Sequence, residues 1–350
     1  MMRLSELPPP PAGKTGWPWD EAPRSLPPAR PDGSPWPRVS LVTPSYNQGR
    51  YLEETIRSVL LQGCPGLEYW VMDGGSNDET LDVLHKYEPW LAGWVSEADR
   101  GQADAINKGW RRSTGEYLGW INSDDLLTNG SLAGELEYLA GHPGVGLVYG
   151  DLEMIDAAGN FLWRSTYRDF DLVALVRRAG WISQQGNLIR RDLLDRVGLL
   201  DTGLHFQMDL DLWIRAGLVS SFGYLPQAVA RFRLHRDSKT LSKSYLAAQD
   251  VLTIYRRLFA RPDLPPALRA VENEALSSAY LHAARGWFES DGVNEAARHL
   301  QRSVQLYPPQ LLRRTFWGLF PSVLVARLAG GKQGGLYRAL QHLVYGKTDR

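Results

Sequence analysis

Between Val39 and Asp151 the chain switches repeatedly between a short apolar run and a helical period, and the apolar runs end in polar or acidic residues. That alternation confines the segment to strands and helices around a mostly parallel sheet. VSLVTPSYN reads as the first strand. In YLEETIRSVLLQ, which follows, Leu52, Ile56, Val59 and Leu60 share one helical face. LEYWVMD is a second strand that delivers Asp73 into a Gly74-Gly75 turn, where Ser76 and Glu79 have the spacing of a capping box. LAGWVSEAD, the helix QADAINKGWRR and the strand EYLGWINSDD complete the series. Ligands of open parallel sheets bind outside the carboxyl ends of strands, and Thr43, Asp73, Asp99 and Asp124 all fall there.

After Gly150 come hairpin-like material (MIDAAGNFLW), a polar segment (WISQQGNLIRR), a helix opened by MDLDLWIR and a β-rich FRLH. From about Leu241 the chain reads as helical. LSSAYLHAARGWFESDGVNEAARHLQRSVQLYP has the pattern of one tetratricopeptide-like hairpin, with Ala279, Ala283 and Ala296 as its small residues. One such unit cannot make a solenoid, so a helical cap is expected. Half of the 22 prolines precede Arg38. That stretch predicts an extended or irregular arm which Trp17, Trp19 and Trp36 can pin to the body. The expected divisions are therefore an arm over 1–37, an α/β domain over 38–240 and a helical extension over 241–350.

Lys plus Arg and Asp plus Glu both number 39, so the balance gives no electrostatic case for nucleic acid as a partner. The single cysteine, Cys64, rules out a disulfide framework within the chain and fits a reducing compartment. The N-terminus has no basic segment followed by an apolar run, and no apolar stretch reaches the ~20 residues of a spanning helix. A cytoplasmic protein is expected. Two unit charges at ~4 Å repel by about 4 kcal/mol at an effective dielectric of about 20. Acidic patches at Asp73, Asp99, Asp104, Asp124 and Asp209 therefore imply a cleft built for a divalent cation and a nucleotide.

The segment from Arg38 to about Arg236 resembles inverting family 2 glycosyltransferases of the GT-A fold. The resemblance rests on TPSYNQGRYLEETIRSVLLQ, DGGSNDET, SEADRGQADAINKG, GEYLGWINSDD, MDLDLWIR and RFRLHRDSKT, in that order and spacing. It implies a nucleotide-diphospho-sugar transferase fold, α/β, with a mostly parallel central sheet flanked by helices. It also implies a nucleoside diphosphate sugar as donor, UDP or dTDP before GDP, and a glycan or glycolipid hydroxyl as acceptor, in envelope polysaccharide or glycolipid assembly.

Carried over residue by residue, the resemblance makes Asp73 the acceptor for a uracil or thymine imide, with Thr43, Pro44 and Tyr46 lining the nucleoside pocket. It places Asp99, Asp104 and Asn107 near the nucleoside and sugar, and Asn122 and Ser123 at the donor. Asp124 becomes the ligand of Mn2+ or Mg2+, hard cations that prefer oxygen donors, with His235 completing the metal shell. Asp209 aligns with the base that deprotonates the acceptor hydroxyl. Relatives carry Asp where Asn122 stands and Glu where Met208 stands, so one position keeps hydrogen bonding without charge and the other loses a neighbour that orients the base.

Each motif also has a plain structural reading: DGGS and SDD as turns, Asp209 and Asp211 as helix caps, His235 as a core residue. No G-x-G-x-x-G follows the first strand, which excludes a dinucleotide oxidoreductase, and TPSYNQGRY lacks the glycines of a sugar-nucleotide pyrophosphorylase loop. The alternative function is a non-catalytic nucleotide-sugar sensor or scaffold, suggested by Met208, Asn122 and the helical hairpin. Residues 311–330, LLRRTFWGLFPSVLVARLAG, mix aromatic and aliphatic residues with Arg313, Arg314 and Arg327. They fit peripheral contact at the inner face of a membrane, or packing on the cap.

Overall fold

A computed structural model describes residues 3–178, 182–236, 244–329 and 332; parts of the expected arm, of RFRLHRDSKT and of the helical extension lie outside them. Two compact units emerge, one of Met1–Leu172, Trp181–Gly203 and Met208–His235, the other of Val173–Gly180, Leu204–Gln207 and Arg236–Arg350. The strands are β1 (Val39–Ser45), β2 (Leu67–Asp73), β3 (Gly93–Ser96), β4 (Tyr117–Trp120), β5 (Leu126–Leu127), β6 (Val145–Ile155), β7 (Phe161–Ser165), β8 (Leu188–Arg190) and β9 (Ser221–Arg233). Helices in chain order are α1 (Gly49–Leu60), α2 (Thr80–Tyr87), α3 (Gln102–Arg112), α4 (Ser131–Gly141), α5 (Leu172–Val176), α6 (Arg191–Val197) and α7 (Met208–Gly217). They continue as α8 (Ser244–Phe259), α9 (Pro266–Arg269), α10 (Glu272–Glu289), α11 (Val293–Leu306), α12 (Arg314–Trp317) and α13 (Phe320–Leu328).

All strands join one mixed sheet in the order β3-β2-β1-β4-β8-β6-β9-β5, with β7 paired to β6. The first four are mutually parallel, and β6 and β9 run with them; β5, β7 and β8 run the other way. Every residue of β1 is buried, as the continuous apolar reading of a central parallel strand requires. Its register sets Ser45 beside Asp73, and Asp73 beside Ser96, so three strands end in one row. α3 closes tightly on that row: a Cβ on Gly109 would stand 2.6 Å from Val42.

The expected face of α1 is buried, with Leu52, Ile56 and Val59 at 0% exposure, but Thr55, Arg57 and Ser58 on its other side are buried as well. Thr55 and Ser58 meet the segment from Ser123 to Leu127, and the arm explains Arg57. Arg57 donates Nε to the Pro18 carbonyl (3.2 Å), Nη1 to that of Pro8 (2.7 Å) and Nη2 to that of Trp19 (3.1 Å). Its guanidinium also lies 5.1 Å from the Trp19 ring. A proline-rich extended chain has carbonyls with no internal partners, and a buried guanidinium supplies five donors. Trp17 adds an indole hydrogen bond to the Leu127 carbonyl (2.8 Å). Trp17, Trp19 and Trp36 are all buried.

The Ser76–Glu79 capping box does not form. The Ser76 hydroxyl donates to Asp73 instead, and Asp78 accepts from the Thr80 amide (3.0 Å) at the start of α2. With its hydroxyl donated to Asp73 and its oxygen accepting from the Asn47 amide (2.7 Å), Ser76 is drawn to the strand end, and α2 starts only at Thr80.

In the second unit α10 and α11 form the expected hairpin, and Ala279, Ala283 and Ala296 are fully buried in it. Ser277 and Ser303 bond across it at 3.0 Å. Glu274 is gripped by Arg177 and Arg313; burial pushes its carboxyl up, but these guanidinium groups bring it below its ordinary value. No helix among the described residues is long and apolar enough to cross a membrane.

Two outcomes test this packing. Arg57→Ala orphans three buried carbonyls and should lower unfolding stability by about 3 kcal/mol in urea titrations, each lost buried partner costing ~1 kcal/mol or more; a loss under ~1 kcal/mol would mean the arm is not held there. Glu135 on α4 is fully buried with neither carboxylate oxygen hydrogen-bonded, and burial alone pushes its pKa well above the ordinary value. A carboxyl whose folded pKa exceeds its unfolded one binds more protons when folded. It therefore favours folding at low pH and costs stability as pH rises from the ordinary glutamate value toward its folded pKa. Glu135→Met should raise stability at neutral pH by more than ~1 kcal/mol and flatten that slope in a pH series of melts. A destabilised variant would refute the assignment.

Candidate functional site

Asp73 ends β2 and is 3% exposed. Its Oδ2 accepts from the amides of Gly75 (3.1 Å) and Ser76 (2.9 Å) and from the Ser96 hydroxyl (2.6 Å), while Oδ1 accepts from the Ser76 hydroxyl. The carboxylate thus locks the turn that carries Gly74, over which the Asp99 carboxylate passes: a Cβ at Gly74 would lie 2.8 Å from Asp99 Oδ2 and 3.4 Å from the Tyr46 ring. Asp99 Oδ1 accepts from the Gly101 amide at 2.7 Å. Thr43 and Pro44 are buried behind this surface, Thr43 bonded to the Tyr69 hydroxyl at 2.8 Å, whereas Tyr46 is 63% exposed.

Asp104 is held by Arg100 (3.0 Å) and Lys108 (3.6 Å), and the Arg100 guanidinium hydrogen-bonded to it keeps its carboxyl below the usual range. Asn107 is used at both ends: its Nδ2 donates to the Leu200 carbonyl (2.8 Å) and its Oδ1 accepts from the Leu200 amide (3.1 Å). The amide that the resemblance directs toward the sugar therefore clasps backbone.

The NSDD segment leaves the end of β4 and is fixed from three sides. From α1, the Thr55 hydroxyl lies within bonding distance of the Ser123 (2.9 Å) and Asp125 (2.8 Å) carbonyls. From α3, Gln102 Nε2 donates to Asn122 Oδ1 at 2.6 Å. From β9, the Arg233 amide donates to Asp125 Oδ1 (3.0 Å) and its Nε to the Asp124 carbonyl (2.9 Å). Arg233 also bonds Glu54 through Nη2 (3.0 Å) and lies 4.8 Å from the Tyr51 ring, with its side chain 1% exposed. Asn122 Nδ2 (3.2 Å) and Gln185 Nε2 (3.4 Å) complete the donors to Asp125. Burial, and then the neighbouring charge of Asp124, push the Asp125 carboxyl well above its ordinary value.

Asp124, adjacent, meets His235 Nε2 at 2.9 Å. On the ring's other side Nδ1 faces Arg50 Nη2 at 3.4 Å, and the Tyr51 ring centroid stands 5.0 Å away. An arginine only donates, so Nδ1 is the acceptor and the ring proton sits on Nε2, toward Asp124. Asp124 and His235 form an oxygen-plus-imidazole pair, donors of the kind that would suit a divalent cation. For Nε2 to ligate, the ring proton must move to Nδ1 and Arg50 must release it. Among the described residues no group of three or more His, Cys, Asp or Glu is placed to hold a metal. The acidic patches thus do not converge on one cation; most are satisfied by the chain's own donors.

Asp209 opens α7, and its Oδ1 accepts from the Leu210 amide at 2.8 Å. Four residues on, Trp213 stacks on Trp120 at 5.7 Å, four residues before Asp124. This aromatic contact draws α7 to the end of β4 from which Asp124 emerges. Asp211 instead pairs with Arg215 (2.8 Å), which reads the carbonyls of Val197, Gly198 and Leu199. Met208, where the family resemblance leads one to expect Glu, is buried. The residues that motif reading missed are Arg233, Asp125, Gln102 and Gln185. Only Arg233 left a signal: it lies two positions before His235, the spacing that shares a face in extended chain.

Comparison with known proteins agrees with this architecture. The family model "Glycosyl transferase family 2" matches residues 40–198. A PGL/p-HBAD biosynthesis glycosyltransferase of Mycobacterium bovis is 31% identical over 183 residues, covering 51% of this chain and 69% of that protein. An uncharacterized glycosyltransferase of Rickettsia typhi is 28% identical over 212 residues, covering 58% of this chain and 66%, just under two thirds, of its own length. Among solved structures, S. aureus TarS 1–349 in complex with UDP-GlcNAc superposes with a TM-score of 0.60 at 17% identity, covering 89% of this chain and 93% of that one. The mannosyltransferase PcManGT from Pyrobaculum calidifontis, in complex with GDP-Man and Mn2+, gives 0.57 at 21%, covering 95% and 91%. The fold is of the GT-A type, with helices following it.

Arg233 is the testable center of the arrangement. Removing one partner from a buried ion pair costs roughly 3–5 kcal/mol, so Arg233→Ala should destabilise by about 3 kcal/mol or more in urea unfolding. A cost below ~1 kcal/mol would show that the NSDD segment is held by other means.

Proposed function

Because the chain belongs to glycosyltransferase family 2, we propose that it moves a sugar from a nucleoside diphosphate sugar, UDP or dTDP favoured, to a hydroxyl of a glycan or glycolipid acceptor with inversion. The observation that carries this reading is the Asp124–His235 contact at 2.9 Å where β4 and β9 end, tied through Trp120 and Trp213 to the helix whose first turn carries Asp209. In this reading Asp209 takes the proton of the acceptor hydroxyl as its oxygen attacks the anomeric carbon, a contribution of typically 10²- to 10⁴-fold. Asp73 accepts the ring imide of the base and gives up a hydroxyl donor to do so. Tyr46 offers the exposed ring beside it, with Asp99 at the ribose, and Asn122 and Ser123 line the donor side. Held by Asp124 and His235, Mn2+ or Mg2+ supplies positive charge opposite the departing diphosphate. Asp104 and Asn107 act one layer behind, holding Arg100, Lys108 and Leu200 in place.

The structurally similar proteins support a nucleotide-sugar donor: TarS was solved with UDP-GlcNAc and PcManGT with GDP-Man and Mn2+. They differ in base, so the preference for uracil or thymine rests on Asp73. The mycobacterial relatives are named for PGL/p-HBAD biosynthesis, and the glycan or glycolipid acceptor proposed for this chain rests on the sequence resemblance.

A thermal-shift screen with UDP, dTDP and GDP, with and without Mn2+, tests the donor class, since a ligand at a hundredfold excess over its Kd stabilises by about 2.7 kcal/mol. The largest shift is expected for UDP or dTDP with Mn2+; a larger one for GDP would overturn the assignment to Asp73. Asp209→Asn should abolish sugar transfer, falling by at least ~10²-fold, and leave the nucleotide shift intact. Loss of both together would reduce Asp209 to a structural residue.

A further inference from the structure

We propose that the surface formed by residues 311–328 docks on an anionic phospholipid bilayer, an inference independent of the transferase reading. Ten large apolar side chains stand exposed among the described residues, and five of them fall here: Leu311, Leu312 (87%), Trp317, Leu324 and Leu328 (75%). They are not the packing face. Phe316, Leu319 and Val323 turn inward, against Leu281, Ala284, Ala296 and Leu300 of the helical hairpin, and Ala326 against Val293. The segment is thus apolar on both sides, and its outer side has no packing role within the described residues. Within α13, Leu324 and Leu328 are one turn apart and share a face, with Arg327 beside them. Exposed apolar patches of this kind mark docking sites.

Charge selects the occupant. From Ala296 to Thr348 the sequence holds no Asp or Glu but eight Lys and Arg, in a chain whose overall balance is zero. Arg313 is tied to Glu274, whereas the exposed Arg314 and Arg327 have no carboxylate partner among the described residues. A second copy on this face would bring like charges together, which disfavours self-association. Lipid headgroups bearing negative charge satisfy both features: basic side chains meet phosphates while Leu and Trp side chains enter the acyl boundary. The Trp317 indole N–H already donates to the Leu311 carbonyl (2.7 Å), so the ring carries no unmet polar group into that boundary.

The test is co-sedimentation of the full chain with vesicles of phosphatidylcholine alone and of phosphatidylcholine containing phosphatidylglycerol. The expected result is binding to the anionic vesicles only, weakened by added salt. Leu324→Glu with Leu328→Glu, both exposed positions, should reduce binding at least about tenfold with an unchanged melting curve. Arg314→Glu with Arg327→Glu should do the same and remove most of the salt dependence. Failure of the parent to bind anionic vesicles at low salt, or equal binding by both variants, would overturn the proposal. So would light scattering that finds a dimer dissociated by the leucine changes, which would assign the face to a second copy.

Discussion

The buried guanidinium of Arg233 is the contact on which the proposed site depends. A charge with 1% of its side chain exposed is tolerable only when paired and fully hydrogen-bonded. Here Glu54 supplies the opposite charge and the carbonyls of Asp124 and Ala157 take further donors. The consequence is geometric: the end of β9, the start of α1 and the turn after β4 cannot move independently. Two residues further on, the same chain sets His235 against Asp124, so the candidate metal pair inherits its position from a contact that is purely structural.

That anchoring also resolves the electrostatic problem posed by NSDD. Two adjacent carboxylates near a diphosphate would oppose binding if both were charged. The fold separates them: Asp125 goes fully inside, where burial and its neighbour raise its pKa and three donors hold it, while Asp124 keeps the partly exposed position facing His235. The motif therefore turns one carboxylate inward and leaves only Asp124 partly exposed. Asn122, where the family resemblance leads one to expect an acid, fits the same logic, since its amide donates to Asp125 and its carbonyl accepts from Gln102, two roles one carboxylate could not fill.

The alternating α/β order, the row of strand ends carrying Asp73, and the buried face of α1 were legible because they depend on periodicity and near neighbours. The capping box failed for a related reason: the spacing of Ser76 and Glu79 says nothing of the Asp73 carboxylate and the Asn47 amide that take both hydrogen-bonding roles of the Ser76 hydroxyl. Gln102 and Gln185 were illegible because they act on residues 20 and 60 positions away, and no local pattern encodes that; the spacing of Arg233 to His235 hinted at a shared face but not at its bond to a carbonyl 109 positions away. Arg57 shows the same limit from the other side. Its helix reads as amphipathic with a solvated polar face, and only the arm's free carbonyls make a buried arginine favourable there.

The contrast between Asp104 and Asn107 and the Asp124–His235 pair explains which motif residues can do chemistry. Asp104 and Asn107 spend their polar atoms on Arg100, Lys108 and the Leu200 backbone, so engaging a ligand would cost them those bonds. Asp124 and His235 bond chiefly to each other across a partly open position, and a cation between them replaces one charge-assisted contact with two. Binding there exchanges like for like, whereas binding at Asn107 would break a clasp that holds Leu200 to α3.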